Sequence, residues 1–199
     1  MIIRELEGGF PKDTHDSEPN IILYVWSLIK RKAVSNLIRT SEAVRNSNSS
    51  KNLELRVVGD GDRKEGLLDF SSEMSIHDRV TFTGHISEKG HLLAESSRAD
   101  VFVHHSHEEG SPRIIIEAMS PSLPMIATDV GEVCDQLGED DALIVEPEST
   151  EVLTSAITKV LNDSVLRQMF IKNGQSPFEE VRSSSGADQH ISIVKSVLS

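Results

Sequence analysis

Residues 21–61 read IILYVWSLIKRKAVSNLIRTSEAVRNSNSSKNLELRVVGDG. Residues 21–25 form a short unbroken apolar run, the mark of a strand covered on both faces. A helical stretch follows from about Ala33 to Arg45, with Val34, Leu37, Ile38 and Val44 along one side. A polar, Ser-rich loop, residues 46–52, leads to a second strand over 53–58, which Gly59-Asp60-Gly61 ends. Strand, helix and strand of this kind want a parallel pair with a crossover helix.

Outward from this unit the alternation continues. A charged helix is expected from about Arg63 to Met74, and residues 79–84 alternate like a short third strand. Ser87 has the character of an N-cap, with Gly90 weakening the helix behind it. Further strands fall at 100–104, 124–128 and 142–145, and helices at 151–161 and 165–173 close the body. The fold class that follows is α/β: a doubly wound, Rossmann-like parallel sheet in three α/β/α layers. Ligand is expected beyond the strands' carboxyl ends. Residues 1–20 read as an irregular lead-in, 21–178 as the domain, and 179–199 as a linker and C-terminal helix. Ile191, Val194 and Leu198 give that last helix an apolar side that needs a cover.

The 199 residues suffice for one good-sized domain, and 37% hydrophobic with 26% charged residues fits a single buried core. Asp and Glu outnumber Lys and Arg by 32 to 20, a net charge of −12, which argues against nucleic acid and anionic lipid as partners. A single cysteine, Cys134, allows no intrachain disulfide and suits a reducing compartment. With no base beside it in sequence, it reads as a small hydrophobe rather than a nucleophile. The first nine residues carry Arg4, Glu5 and Glu7 and do not read as a secretory signal, and no run reaches membrane-spanning length. The expectation is a cytoplasmic protein without an integral membrane segment.

The chemistry is concentrated in residues 101–118, VFVHHSHEEGSPRIIIEA. The fourth strand ends near His104, and Ser111-Pro112 marks the start of the next helix, as N-cap and first helical residue. Gly110 lets the backbone approach a ligand closely, and the free amides of the first turn form an anion site. Glu109 in the loop and Glu117, under two turns into the helix, then flank an amide-rich pocket. Carboxylates there suit the paired hydroxyls of a sugar or ribose, and the amides suit phosphate.

This setting, Glu109-x7-Glu117 within EGSPRIIIEAMS, resembles the C-terminal, donor-binding domain of family-four retaining glycosyltransferases, group-1 type, of two-Rossmann-domain (GT-B) architecture. Six further segments agree in order: ILYVWSLIKRKAV, VVGDGD, DRVTFTGHI, ADVFVHHS, PMIATDVGEV and LIVEPES, so that the resemblance covers about residues 20–175. It implies that Glu117 holds the donor ribose and that Glu109 is the catalytic residue at the donor sugar. Gly110, Ser111, Pro112 and Arg113 would face diphosphate and sugar, and Lys32 would offer its ammonium to the diphosphate. The loop at Thr83-Gly84-His85 would meet the base, and His105 or Ser106 would line the pocket. The implied reaction transfers a hexose from a nucleotide-diphospho-sugar with retention, in glycan or polysaccharide biosynthesis, with no cofactor and no metal. The acceptor site of such enzymes lies on an N-terminal domain, which is expected to be absent from these 199 residues. The chain alone is therefore expected to be inactive without a partner chain or domain.

One departure matters beside this. The family's glycine-arginine pair after the first strand is replaced by Trp26-Ser27, and losing a charge-assisted bond of that kind costs roughly 1.5–3 kcal/mol. A degenerate, non-catalytic nucleotide-sugar-binding module of the same fold is thus the alternative. Other readings are weaker. His104, His105 and His107 lack a matched set of ligand spacings for metal. Asp60-Gly61-Asp62 follows a strand and reads as a turn rather than a metal-binding Asp-x-Asp. A nicotinamide-binding Rossmann unit would want G-x-G-x-x-G after the first strand, where Trp-Ser-Leu stands instead. Trp26 itself reads as core or interface.

Overall fold

The computed structural model describes residues 19–30, 33–47, 52–107, 123–131, 142–147 and 149–173. Six strands lie in one sheet: β1 (Asn20–Val25), β2 (Leu53–Val58), β3 (Val80–Gly84), β4 (Val101–His104), β5 (Met125–Thr128) and β6 (Leu143–Val145). Their order is β3-β2-β1-β4-β5-β6 and every neighbouring pair is parallel. The order reverses between β1 and β4, so the topological switch point of this doubly wound sheet lies between the carboxyl ends of those two strands.

Position in the sheet explains the sequence patterns. The central strand β1 is buried from Ile21 through Val25, and β4 from Val101 through His104, because helices cover both faces there. Strand β3 lies at an edge and alternates, with Thr81 and Thr83 exposed. The helices among the described residues are α1 (Val34–Asn46), α2 (Lys64–Glu73), α3 (Lys89–Arg98), α4 (Thr150–Asn162) and α5 (Ser164–Asn173). Helix α1 turns Val34, Leu37, Ile38 and Val44 inward, and its buried Ser41 and Thr40 donate to the carbonyls of Leu37 and Asn36. This satisfies hydroxyls that burial would otherwise penalise. Helix α4 buries Leu153, Ala156, Ile157, Val160 and Leu161 and packs against α1. Helices α1 and α2 lead rightward to the β3 edge while α3 crosses back to β4. Right-handed connections therefore put α3 on the opposite face.

The structure departs from expectation in places. Ser87 is not the cap of α3: that helix begins after Glu88, whose extended backbone holds the N-cap position without a side-chain bond. Ser is a preferred cap type, but the helix starts one residue later and leaves the Ser87 hydroxyl one position short of the cap. A 3-10 turn at His77–Arg79 precedes β3, so Arg79 lies outside the strand. Trp26 is buried, as expected of a core residue. Cys134, the Ser111-Pro112 helix start and the final helix lie outside the described residues.

Helix α4 does have a working cap. The Ser149 hydroxyl accepts from the Val152 amide at 3.2 Å. Ser149→Ala should cost about 1 kcal/mol in chemical denaturation, with Ser149→Gly losing only a few tenths. An unchanged stability in Ser149→Ala would show that the hydroxyl is not the stabilising group.

Candidate functional site

Because all six strands run parallel, their carboxyl ends share one edge of the sheet, and the expected site residues can be placed along it. Gly84 ends β3 with φ +78°, and its carbonyl accepts from the Gly59 amide at 2.9 Å. His85 follows it and is exposed. Beside them the Asp60 carboxylate accepts from Lys64 Nζ and from the Gly61 amide, both at 2.9 Å. The Lys64 hydrogen bond, then the Gly61 amide, hold its carboxyl below the ordinary value. This corner is a turn, as the sequence suggested, in which Asp60 is committed to its neighbours.

Three strand positions away, about 14 Å at the usual spacing, the chain leaves β4 through His104, His105 and Ser106. All three are buried. The Ser106 amide donates to Thr128 Oγ1 at 3.1 Å, and the same hydroxyl donates to the Ser106 carbonyl at 3.0 Å. Ser106 is thereby pinned to the end of β5, with its side chain inside the protein rather than lining an open surface. At the switch point the Trp26 and His104 rings pack with centroids 5.0 Å apart and planes tilted by 52°.

The segment after β1 is bound to the end of β2 by its backbone. The Trp26 amide donates to the Val58 carbonyl at 3.0 Å, and Leu28 to Asp60 at 2.8 Å. The Arg63 amide returns a bond to the Leu28 carbonyl at 3.0 Å. Trp26 and Leu28 are both buried, so the segment that replaces the family's glycine-arginine pair is packed into the domain.

His105 was weighed in the sequence as a pocket-lining residue and, less favourably, as one of three histidines for a metal, and the structure gives it a specific environment. Its Nε2 meets Asn36 Nδ2 on α1 at 3.0 Å, and Asn36 Oδ1 accepts from Thr150 Oγ1 at the start of α4 at 2.5 Å. Burial, with smaller contributions from His107 and His104, lowers its pKa to about 4. The imidazole is therefore neutral at physiological pH. No sequence signal joins these three residues, since 69 positions separate Asn36 from His105 and 114 separate it from Thr150.

Of the remaining expected site residues, Lys32, Glu109, Gly110, Ser111, Pro112, Arg113 and Glu117 lie outside the described residues. Among the described residues no group of three or more His, Cys, Asp or Glu side chains is placed to hold a metal ion. No described helix is long and apolar enough to cross a membrane.

Comparison with known proteins agrees with this fold. The family model for glycosyl transferases group 1 matches residues 9–176, and the chain belongs to that family. It is similar to the lipopolysaccharide core biosynthesis glycosyltransferase LpsD of Rhizobium meliloti (strain 1021), 30% identical over 155 residues that make up 77% of this chain and 43% of that protein. Among solved structures, the C-terminal domain of the group 1 family protein LpcC from Francisella tularensis superposes with a TM-score of 0.66 at 20% identity. The match covers 83% of this chain and 87% of that one. Anabaena HepE, solved in complex with UDP and glucose, gives a TM-score of 0.71 at 19% identity over 83% of this chain and 45% of HepE. The chain spans less than half the length of the curated relatives it matches. The fold is thus the Rossmann-like half of a GT-B glycosyltransferase.

Proposed function

We propose that this chain is the donor-binding half of a glycosyltransferase, holding a nucleotide-diphospho-hexose along the carboxyl edge of its sheet. Transfer would pass the hexose to an acceptor, with acceptor groups supplied by a partner chain or a further domain. The observation that carries this is the common edge: the Gly84-His85 corner, the switch point and the end of β4 leading to Glu109 all open on one side of a parallel sheet. In this reading the base lies at Gly84-His85 and Glu117 takes the ribose hydroxyls. Lys32 and the amides of Gly110, Ser111 and Arg113 receive the diphosphate, with Ser106 as part of the supporting wall. Glu109 orients the hexose, and the helix start stabilises charge on the leaving diphosphate. Transfer proceeds without metal or cofactor. A role in polysaccharide biosynthesis is supported by the biosynthetic glycosyltransferase named above, and a cytoplasmic place for it is part of the proposal.

A second reading is favoured by the packed Trp26-Ser27-Leu28 segment. It carries no guanidinium at the position directly after β1, where Trp26-Ser27 stands, and this suits a module of the same fold that binds nucleotide sugar weakly or not at all.

A thermal-shift panel with UDP-, GDP- and ADP-linked glucose separates the two. At about 100 times the dissociation constant, binding adds roughly 2.7 kcal/mol, or about 5–11 °C for a chain of this size. One nucleotide should produce the shift, and Glu117→Ala should abolish it. A wild type that is shifted by none of the three fits only the degenerate module.

A further inference from the structure

The short Thr150–Asn36 contact fixes which way the Asn36 amide faces. Thr150 Oγ1 donates to Oδ1 at 2.5 Å, a length usual for O–H···O, and this leaves Nδ2 facing His105. Asn36 Nδ2 can only donate, so His105 Nε2 accepts and the single ring proton of the neutral imidazole sits on Nδ1. That Nδ1 is closed to solvent and has no hydrogen-bond partner among the described residues. Its residue is 1% exposed and lies one position beyond β4, beside the switch point where a doubly wound sheet takes its ligand. Buried donors are nearly always paired, and an orphan in a functional crevice calls for an acceptor that arrives from outside.

We propose that His105 is a ligand-binding donor whose Nδ1–H, set by the Thr150–Asn36 relay, is reserved for an acceptor oxygen of the sugar-diphosphate group. This rests on the donor-site reading above and adds a residue to it. The acceptor is a phosphate oxygen or a hexose hydroxyl, both of which accept from a neutral N–H. The relay has a mechanical side as well: Thr150 opens α4 and Asn36 lies on α1, so two packed helices hold the ring. A ring fixed before ligand arrives loses little freedom on binding.

Two substitutions at His105 separate ligand binding from a purely structural role. Asparagine can place an amide N–H near the Nδ1 position but does not reach Asn36. Glutamine can offer Oε1 to Asn36 but leaves no donor at Nδ1. Isothermal titration would use whichever of UDP, GDP and ADP the wild type binds best, together with its glucose conjugate. His105→Gln should fold with near wild-type stability and bind about 10- to 100-fold more weakly, while His105→Asn should keep more of the affinity despite lower stability. The reverse pattern, with affinity kept in His105→Gln and lost in His105→Asn, overturns the proposal. An equal loss for diphosphate and conjugate assigns the bond to phosphate, and a loss confined to the conjugate assigns it to the hexose. Nitrogen-15 spectra of the free chain read the tautomer without any ligand, and an Nε2–H imidazole overturns the proposal whether or not the donor reading stands. A wild type that binds none of the probes while showing the Nδ1–H tautomer overturns the donor reading, and the ligand contact with it.

Discussion

Replacing Gly59 with alanine should destabilise the domain by about 3–5 kcal/mol, a large part of the whole stability of an ordinary domain. Two independent effects act at this position. Its φ is +144°, a conformation open to glycine and hostile to any residue with a Cβ. A Cβ built there would stand 1.9 Å from the Trp26 carbonyl oxygen, far inside contact distance, and the obstacle is backbone. Relief requires the segment after β1 to move away from the end of β2. That movement pulls on the Trp26-to-Val58 and Leu28-to-Asp60 bonds, and on the Gly59-to-Gly84 bond that joins the third strand to the same corner. Gly61 faces the same segment from the next loop residue but one, where its Cβ would meet the Leu28 carbonyl at 2.6 Å. Urea denaturation of Gly59→Ala against wild type gives the number. A loss below about 1 kcal/mol would mean that the three strand ends are not locked together as described. Gly66→Ala, where a Cβ meets nothing within 4 Å, is the matched control and should be neutral or slightly stabilising on the surface of α2.

The close approach at Gly59 also shows which parts of this protein were legible in its sequence. The doubly wound sheet was, because fully buried parallel strands such as residues 21–25 and 101–104 read as continuous apolar runs, and the helices between them carry one apolar side. Gly59-Asp60-Gly61 was legible as a turn. The reason for its glycines was not, since it lies in a carbonyl more than thirty residues earlier that only the assembled sheet brings into contact. The candidate site divides in the same way. Glu109, Glu117 and the Ser111-Pro112 helix start are local in sequence, so the loop-and-helix pattern together with the family resemblance could point to them, although they lie outside the described residues. The His105 environment is long-range throughout, with Asn36 reaching it from α1 and Thr150 reaching Asn36 from α4. In the sequence, His105 was one of three clustered histidines, set apart only by the resemblance, which placed it or Ser106 at the pocket wall. Burial separates His104 and His105 from the exposed His107, and the Asn36 contact separates His105 from His104. The Ser87 cap failed for the opposite reason, because capping is decided by a single turn of local geometry that the strong long-range pattern does not constrain.

Acid should weaken this protein well before its carboxylates are protonated, and His105 is the reason. In the unfolded chain its imidazole titrates near the ordinary 6.5, whereas burial holds it near 4 in the folded one. Between those values the unfolded state carries a proton that the folded state refuses, so stability falls as pH drops through this window and the loss levels off below about 4. A displacement of this size corresponds to about 3 kcal/mol, or roughly 6–12 °C in melting temperature for a chain of this length. The groups around the ring agree with the direction. Asn36 and Thr150 are neutral, Asn36 presents a donor to Nε2 that a protonated ring could not accept, and His104 and His107 add only like charge. The Asp60 carboxyl, which Lys64 holds below its usual value, contributes a separate loss only at more acidic pH, where that group takes up its proton. The measurement is the stability of wild type and His105→Gln across pH 7 to 4. Glutamine preserves a partner for Asn36 and removes the titrating ring, so the variant's curve should stay flatter and the two should diverge in its favour as pH falls. Parallel curves would place the acid sensitivity elsewhere and leave the imidazole free to take its proton in the folded chain. That would remove the basis for a neutral ring with its one proton on Nδ1.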